Sequence, residues 1–90
     1  MEKIIYVFTG QGSNFPAGIF TDITLAIQWI EKYSLSGILS SYPTNIGLYD
    51  WAIESNYFEP QKDYQKESKF IERFTSASLE HLHFENGKMD

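Results

Sequence analysis

Ninety residues, a net charge of −5 and no cysteine leave room for one domain and exclude disulfide staples, thiolate metal sites and cysteine nucleophiles. The chain is 42% hydrophobic and 17% aromatic against 21% charged, which excludes intrinsic disorder. Lys3–Thr9 is β-branched and aromatic and stops at Gly10, so it predicts a buried strand. Residues 10–18, with three glycines and a proline, predict a loop. Ile19-Phe20 is a short strand or the entry to a helix. Thr21 or Asp22 can cap a helix over 22–33, because either side-chain oxygen can accept a bond from an unpaired backbone N–H. Its apolar residues sweep an arc of roughly 200°. That helix is therefore buried on two sides or presents its Leu25/Trp29 edge to a partner.

Ser34–Gly37 predicts a turn and residues 37–42 a second principal strand, ended by Pro43. Thr44 or Asn45 could cap a second helix over Ile46–Ser55, with Asn56 in the left-handed position after it. A competing strand would align Tyr49, Trp51 and Ile53 on one face. Glu59–Lys69 is polar and mixed in charge and predicts a surface linker. Phe70–Phe74 fits a short helix or a strand. Leu79–Glu85 alternates as a last strand closed by Asn86-Gly87. These elements predict a single α+β domain over 1–90. A small antiparallel or mixed sheet would use strands near 3–9, 37–42 and 79–85. One main helix packs on one face, and a second, short helix follows. So few strands leave a sheet edge for a partner or a second copy to cover.

The charge is uneven. Residues 1–45 hold two basic and three acidic side chains, net −1; residues 46–90 hold five against nine, net −4. An acidic chain repels phosphate backbones, so nucleic acid is a poor partner and a basic protein a good one. No apolar run spans a membrane, and no basic segment followed by an apolar one marks a leader, so a cytoplasmic protein is expected.

Few residues carry chemistry. Gly10-x-Gly12 follows a strand, but a dinucleotide fingerprint needs a third glycine and an immediate helix, and Phe15-Pro16 stand there instead. No lysine between Lys3 and Lys32 can complete a phosphate loop. His81, His83 and Glu85 alternate, so on a strand they share a face, as the ligands of a zinc or iron site would. Two solvated histidines give the same pattern, and general acid–base work is a further use of them. With no third strong ligand placed by sequence, no catalytic ion and no cofactor are expected there. Asp50 and Glu54 would pair on a helix face with no evident cleft, and neither Ser13 nor Ser76 lies in Gly-x-Ser-x-Gly. The chain is not expected to be an enzyme.

The fifteen aromatics exceed what so small a core can hide. Tyrosine and tryptophan offer stiff contact area with a polar tip, which suits interfaces; core placement with the hydroxyl reaching water is the alternative. Tyr42, Tyr49, Asp50, Trp51, Glu54, Phe58 and Glu59 are the partner-binding candidates. Trp51 and Phe58 would anchor, and Asp50, Glu54 and Glu59 would steer a basic partner. The segment from Tyr42-Pro43 through Trp51 is expected to pack partly against another chain, a partner or a second copy.

Three sets of segments carry a resemblance. They are Tyr6-Val-Phe8 with Gly10-x-Gly12, Phe15-Pro16 and Gly18-x-Phe20; Trp29-Ile30 with Leu35–Leu39, Tyr42-Pro43 and Tyr49–Ala52; and Phe74–Ser78 with Glu80-His81-x-His83. Together they resemble a family of small bacterial proteins classed only as a domain of unknown function. The resemblance covers nearly the whole chain and implies no activity, cofactor or catalytic residue. In size and charge such proteins are also similar to toxin-immunity proteins, an analogy of bulk properties only. Three functions follow as expectations: an acidic protein-binding module, most concretely an immunity or inhibitor protein for a basic toxin or enzyme; a homodimeric protein without enzymatic activity; and a small metal-binding protein or enzyme centred on His81 and His83.

Overall fold

The computed structural model describes residues 3–90. The class is α+β, and the chain divides into two compact units: Met1–Thr44 with Leu79–Asp90, and Asn45–Ser78.

The first unit is built on β1 (Ile4–Gly10), β2 (Pro16–Phe20), β3 (Gly37–Pro43), β4 (His81–Glu85) and β5 (Lys88–Met89), with one helix, α1 (Ile23–Lys32). The strands form one sheet in the order β2-β1-β3-β4-β5, and every pairing is antiparallel, so the mixed alternative falls away. The β1–β3 ladder runs without interruption from Ile4↔Pro43 to Gly10↔Gly37. Because side chains alternate, Phe8, Leu39, Leu82 and Phe84 share one face. There Phe8, Leu39 and Phe84 join Ala26 and Ile30 of α1 in the buried core, with Leu82 packed beside it. The other face carries Ile5, Val7, Ile38, Ser40, Tyr42, His81 and His83.

β2 begins at Pro16, inside the stretch expected to be loop. Proline lacks a donor, and the first residue of an edge strand owes the ladder none, so the strand signal of Ile19-Phe20 extends back to it. Gly18 is needed: a Cβ there would lie 2.8 Å from the Phe20 ring and 3.2 Å from Trp29. The last strand starts two residues later than expected, and β5 was not anticipated. It exists because Asn86 (φ 52°) and Gly87 (φ 83°) both take the left-handed conformation that turns a two-residue hairpin.

α1 starts where the sequence suggests. Asp22 Oδ1 accepts the Thr24 N–H at 2.8 Å, and Lys32 stands in the last turn, favourable for the helix dipole. Ala26 and Ile30 are wholly buried, while Leu25 is 56% exposed. Trp29 is committed to its own unit, its ring centroid lying 5.7 Å from Phe8, 5.6 Å from Phe20 and 6.4 Å from Tyr33. Asp22→Ala should cost about 1 kcal/mol through loss of the cap. A denaturant melt checks it, and an unchanged midpoint would show that the cap contributes nothing.

The second unit holds α2 (Leu48–Glu54), a 3₁₀ turn (Asp63–Lys66) and α3 (Ser68–Glu72). The residue preceding α2 is Gly47, not Thr44 or Asn45, and it makes no side-chain cap. Thr44 is engaged elsewhere, its hydroxyl donating to the Lys3 carbonyl at 2.8 Å, and Asn45 sits at φ 63°. The far end of α2 is as expected. Asn56 is left-handed (φ 63°), the Tyr57 N–H donates to Ala52 O at 2.8 Å and the Asn56 N–H to Ile53 O at 3.1 Å, a Schellman ending.

The expected surface linker 59–69 is structured over its second half. Gln65 Oε1 accepts from the Gln61 and Lys62 N–H groups at 2.7 and 3.1 Å and closes the 3₁₀ turn. The Tyr49 hydroxyl donates to the Gln65 carbonyl at 2.8 Å, tying that turn to α2. Phe70–Phe74, ambiguous in sequence, is helical as far as Glu72.

Candidate functional site

Two regions gather the residues that sequence singles out. One is in the second unit. α2 places Asp50 and Glu54 one turn apart, both exposed, with Trp51 half-buried beside them. No basic residue lies on α2, and the one ion pair among the described residues is Lys69–Glu72 at 3.8 Å, on α3. The α2 carboxylates therefore stand unneutralised, and Glu59 is exposed a few residues further on.

Trp51 packs against Tyr57, their centroids 5.3 Å apart, and Tyr57 is itself 56% exposed. From Tyr57 an open groove of about 720 Å³ continues past Phe58, Tyr64, Phe70 and Phe74, with Lys69 and Arg73 on its rim. Three of the rings that line it cluster with Tyr49. Phe58 lies 5.0 Å from Phe74, 5.8 Å from Phe70 and 5.8 Å from Tyr49; Tyr49 lies 5.5 Å from Phe74 and 6.3 Å from Phe70. Ala52 is the one hydrophobic residue of this unit that is fully buried, so aromatic faces supply its packing. Of the partner-binding candidates, Asp50, Glu54 and Glu59 are exposed and Trp51 is half-buried. Tyr49 and Phe58 are engaged in the ring cluster, Phe58 also lining the groove. Tyr42 belongs to the sheet unit, half-buried on β3 opposite Ile5. Sequence reading missed Tyr64, Phe70 and Phe74 as groove residues. Their spacing follows no single period, because Tyr64 lies on the 3₁₀ turn, Phe70 on α3 and Phe74 beyond its end.

The other region is in the sheet unit. His81 and His83 project from β4 on the face away from α1, level with Ser40 and Ile38, and both are exposed. Their rings meet edge to face with centroids 5.1 Å apart. His81 Nδ1 lies 2.8 Å from the Leu79 carbonyl oxygen. Glu85 follows on the same face, but among the described residues no three acidic or histidine side chains form a metal-ligating group. At one end of this sheet an open depression of about 510 Å³ is bounded by the Gly10–Ser13 loop, Ile38, His83, Glu85 and Asp90. The loop joins two antiparallel strands and so does not open into a helix, as the loop of a phosphate cradle does. Its amides are partly spent, Gln11 N–H on Ser36 O and Ser13 N–H on Gly10 O, both at 3.0 Å.

No helix among the described residues is long and apolar enough to cross a membrane. No curated protein and no solved structure matches the chain. One family model does, over residues 5–90, and its description assigns no activity. The sheet and both candidate regions fall within that span, and the chain belongs to the family described as Domain of unknown function (DUF7710).

Proposed function

We propose that this protein is a cytoplasmic binding module for a basic protein, acting by occupying its partner rather than by catalysis, and that an immunity or inhibitor protein is its most concrete form. The observation that carries the reading is the edge of α2. Asp50 and Glu54 are exposed and unpaired immediately beside Trp51, whose ring leads through Tyr57 into an aromatic groove. Carboxylates on a rim accelerate encounter with a basic surface, and aromatic anchors slow departure.

Affinity capture from the source cells, with the wild-type chain and the Asp50→Lys/Glu54→Lys variant as baits, tests this reading. The expected result is a basic protein retained by the first and lost with the second. Equal retention by both would remove the α2 edge from the interface.

A second copy of the chain is the other occupant supported by a specific observation. β2 is a sheet edge, and Phe15 and Ile19 are exposed on and beside it, Ile19 at 63%. Sedimentation equilibrium separates the two, since only self-pairing gives a dimer of the isolated chain.

A further inference from the structure

The two histidines of β4 are not used by that reading. They lie in the other unit, side by side on one face of the strand, at a ring spacing that a shared metal ion would fit. Residues two apart on a strand have backbones about 6.8 Å apart. The imidazoles of His81 and His83 lean together to a centroid spacing of 5.1 Å. A metal ion bound at about 2.0–2.1 Å by one nitrogen of each ring would hold the two centroids about 4.5 Å apart at a right angle and about 5.2 Å apart at the tetrahedral angle. The observed spacing falls inside that interval.

One nitrogen of His81 is also engaged. A carbonyl oxygen only accepts, so a hydrogen bond over the 2.8 Å between His81 Nδ1 and Leu79 O places a proton on Nδ1 and makes Nε2 the nitrogen available to a metal. A backbone carbonyl holding the second ring nitrogen is the usual partner of a metal-bound histidine. The strand beneath is fixed on both sides, to β3 through Ser40↔His81 and Ile38↔His83, and to the chain end through the Asp90 N–H on the His83 carbonyl at 3.0 Å. Ligands on a paired strand are held more closely than ligands on a loop.

We propose that His81 and His83 form a two-imidazole chelate for a divalent transition-metal ion on the face of the sheet away from α1. Imidazole nitrogen selects copper, nickel and zinc over magnesium and calcium, and among these Cu(II) binds most tightly. Two protein ligands leave the remaining positions to water or to a donor from another molecule. The site is therefore a point of metal-mediated attachment or of metal capture, distinct from a closed structural centre with four ligands.

Isothermal titration of the tag-free 90-residue chain with copper, nickel and zinc chlorides tests this. One saturable equivalent is expected, with Cu(II) tightest. His81→Ala and His83→Ala should each weaken Cu(II) by on the order of a hundredfold, because either change converts a chelate into a single ligand. Both side chains are exposed, so circular dichroism should show the variants folded. In the wild-type chain, zinc should shift the ring resonances of both histidines together, a readout independent of any variant. Absence of saturable Cu(II) binding would overturn the proposal and leave the 5.1 Å contact as an edge-to-face ring pair. Binding retained by the double variant would overturn it equally, by placing the ion elsewhere.

Discussion

Gly37→Ala is expected to destabilise the sheet unit by about 3 kcal/mol, the upper end of what overpacking costs, because the obstacle is backbone rather than a movable side chain. Gly37 is buried in β3 between Gly10 of β1 and Phe84 of β4. A methyl group there would collide with the Thr9 carbonyl oxygen and lie 2.8 Å from the Phe8 ring and 2.9 Å from the Gly10 Cα. Relief would require the β1–β3 ladder to open at its end, where Phe8 anchors the core. For a chain of this length, whose total stability is of the order of 5–13 kcal/mol, such a loss lowers the melting temperature by many degrees. A chemical denaturation curve measures it. A variant as stable as wild type would mean that β1 and β3 approach each other less closely at this position than the register requires.

The second large effect is expected at Phe58. Its ring touches Tyr49, Phe70 and Phe74, and so joins α2 to α3 and to the segment that follows. Phe58→Ala should cost about 3 kcal/mol, the low end of the range for this truncation, since the ring is only half-buried. The loss should be local. Amide hydrogens of Leu48–Glu54 and Ser68–Glu72 should exchange faster, because those short helices have little intrinsic stability and rest on the ring cluster. Unchanged exchange in both helices would free Phe58 to act as a contact for a partner, the role its position beside Glu59 first suggests.

These two positions also mark what sequence alone could tell. Lys3–Thr9 and Gly37–Tyr42 announce strands because β-branched and aromatic runs bounded by glycine have few alternatives, and Asp22 announces a helix because its carboxylate has an orphan donor to meet. Gly37 itself looked like the end of a turn. Only the pairing of β1 with β3 reveals that two glycines face each other there. The aromatic excess was visible as a number but not as an arrangement. Tyr49, Phe58, Phe70 and Phe74 come from three short segments and meet through non-local contacts, which no periodic pattern encodes. The order of the polar stretch before α3 depends on one glutamine side chain, Gln65, and on the hydroxyl of Tyr49 sixteen residues away. Both are invisible to composition. The histidine pair is the opposite case. Alternation alone puts His81 and His83 on one face; the distance between their rings and the contact of His81 Nδ1 with the Leu79 carbonyl required the structure.

The proposed role rests on a division of labour on one surface, with carboxylates governing encounter and aromatic rings governing residence. Exposed charges separated by more than about 8 Å are largely screened at physiological ionic strength, so steering should weaken as salt rises while packing persists. The most direct measurement is the binding kinetics of the captured basic partner to the wild-type chain and to Asp50→Lys/Glu54→Lys and Trp51→Ala, at low and high salt, with each variant's fold verified by its melt. The account predicts an association rate that falls with salt in the wild type, starts lower and varies less with salt in the charge-reversal variant, and stays near wild type in Trp51→Ala, where dissociation accelerates instead. An association rate independent of salt, or a folded Trp51→Ala that dissociates as slowly as wild type, would contradict it.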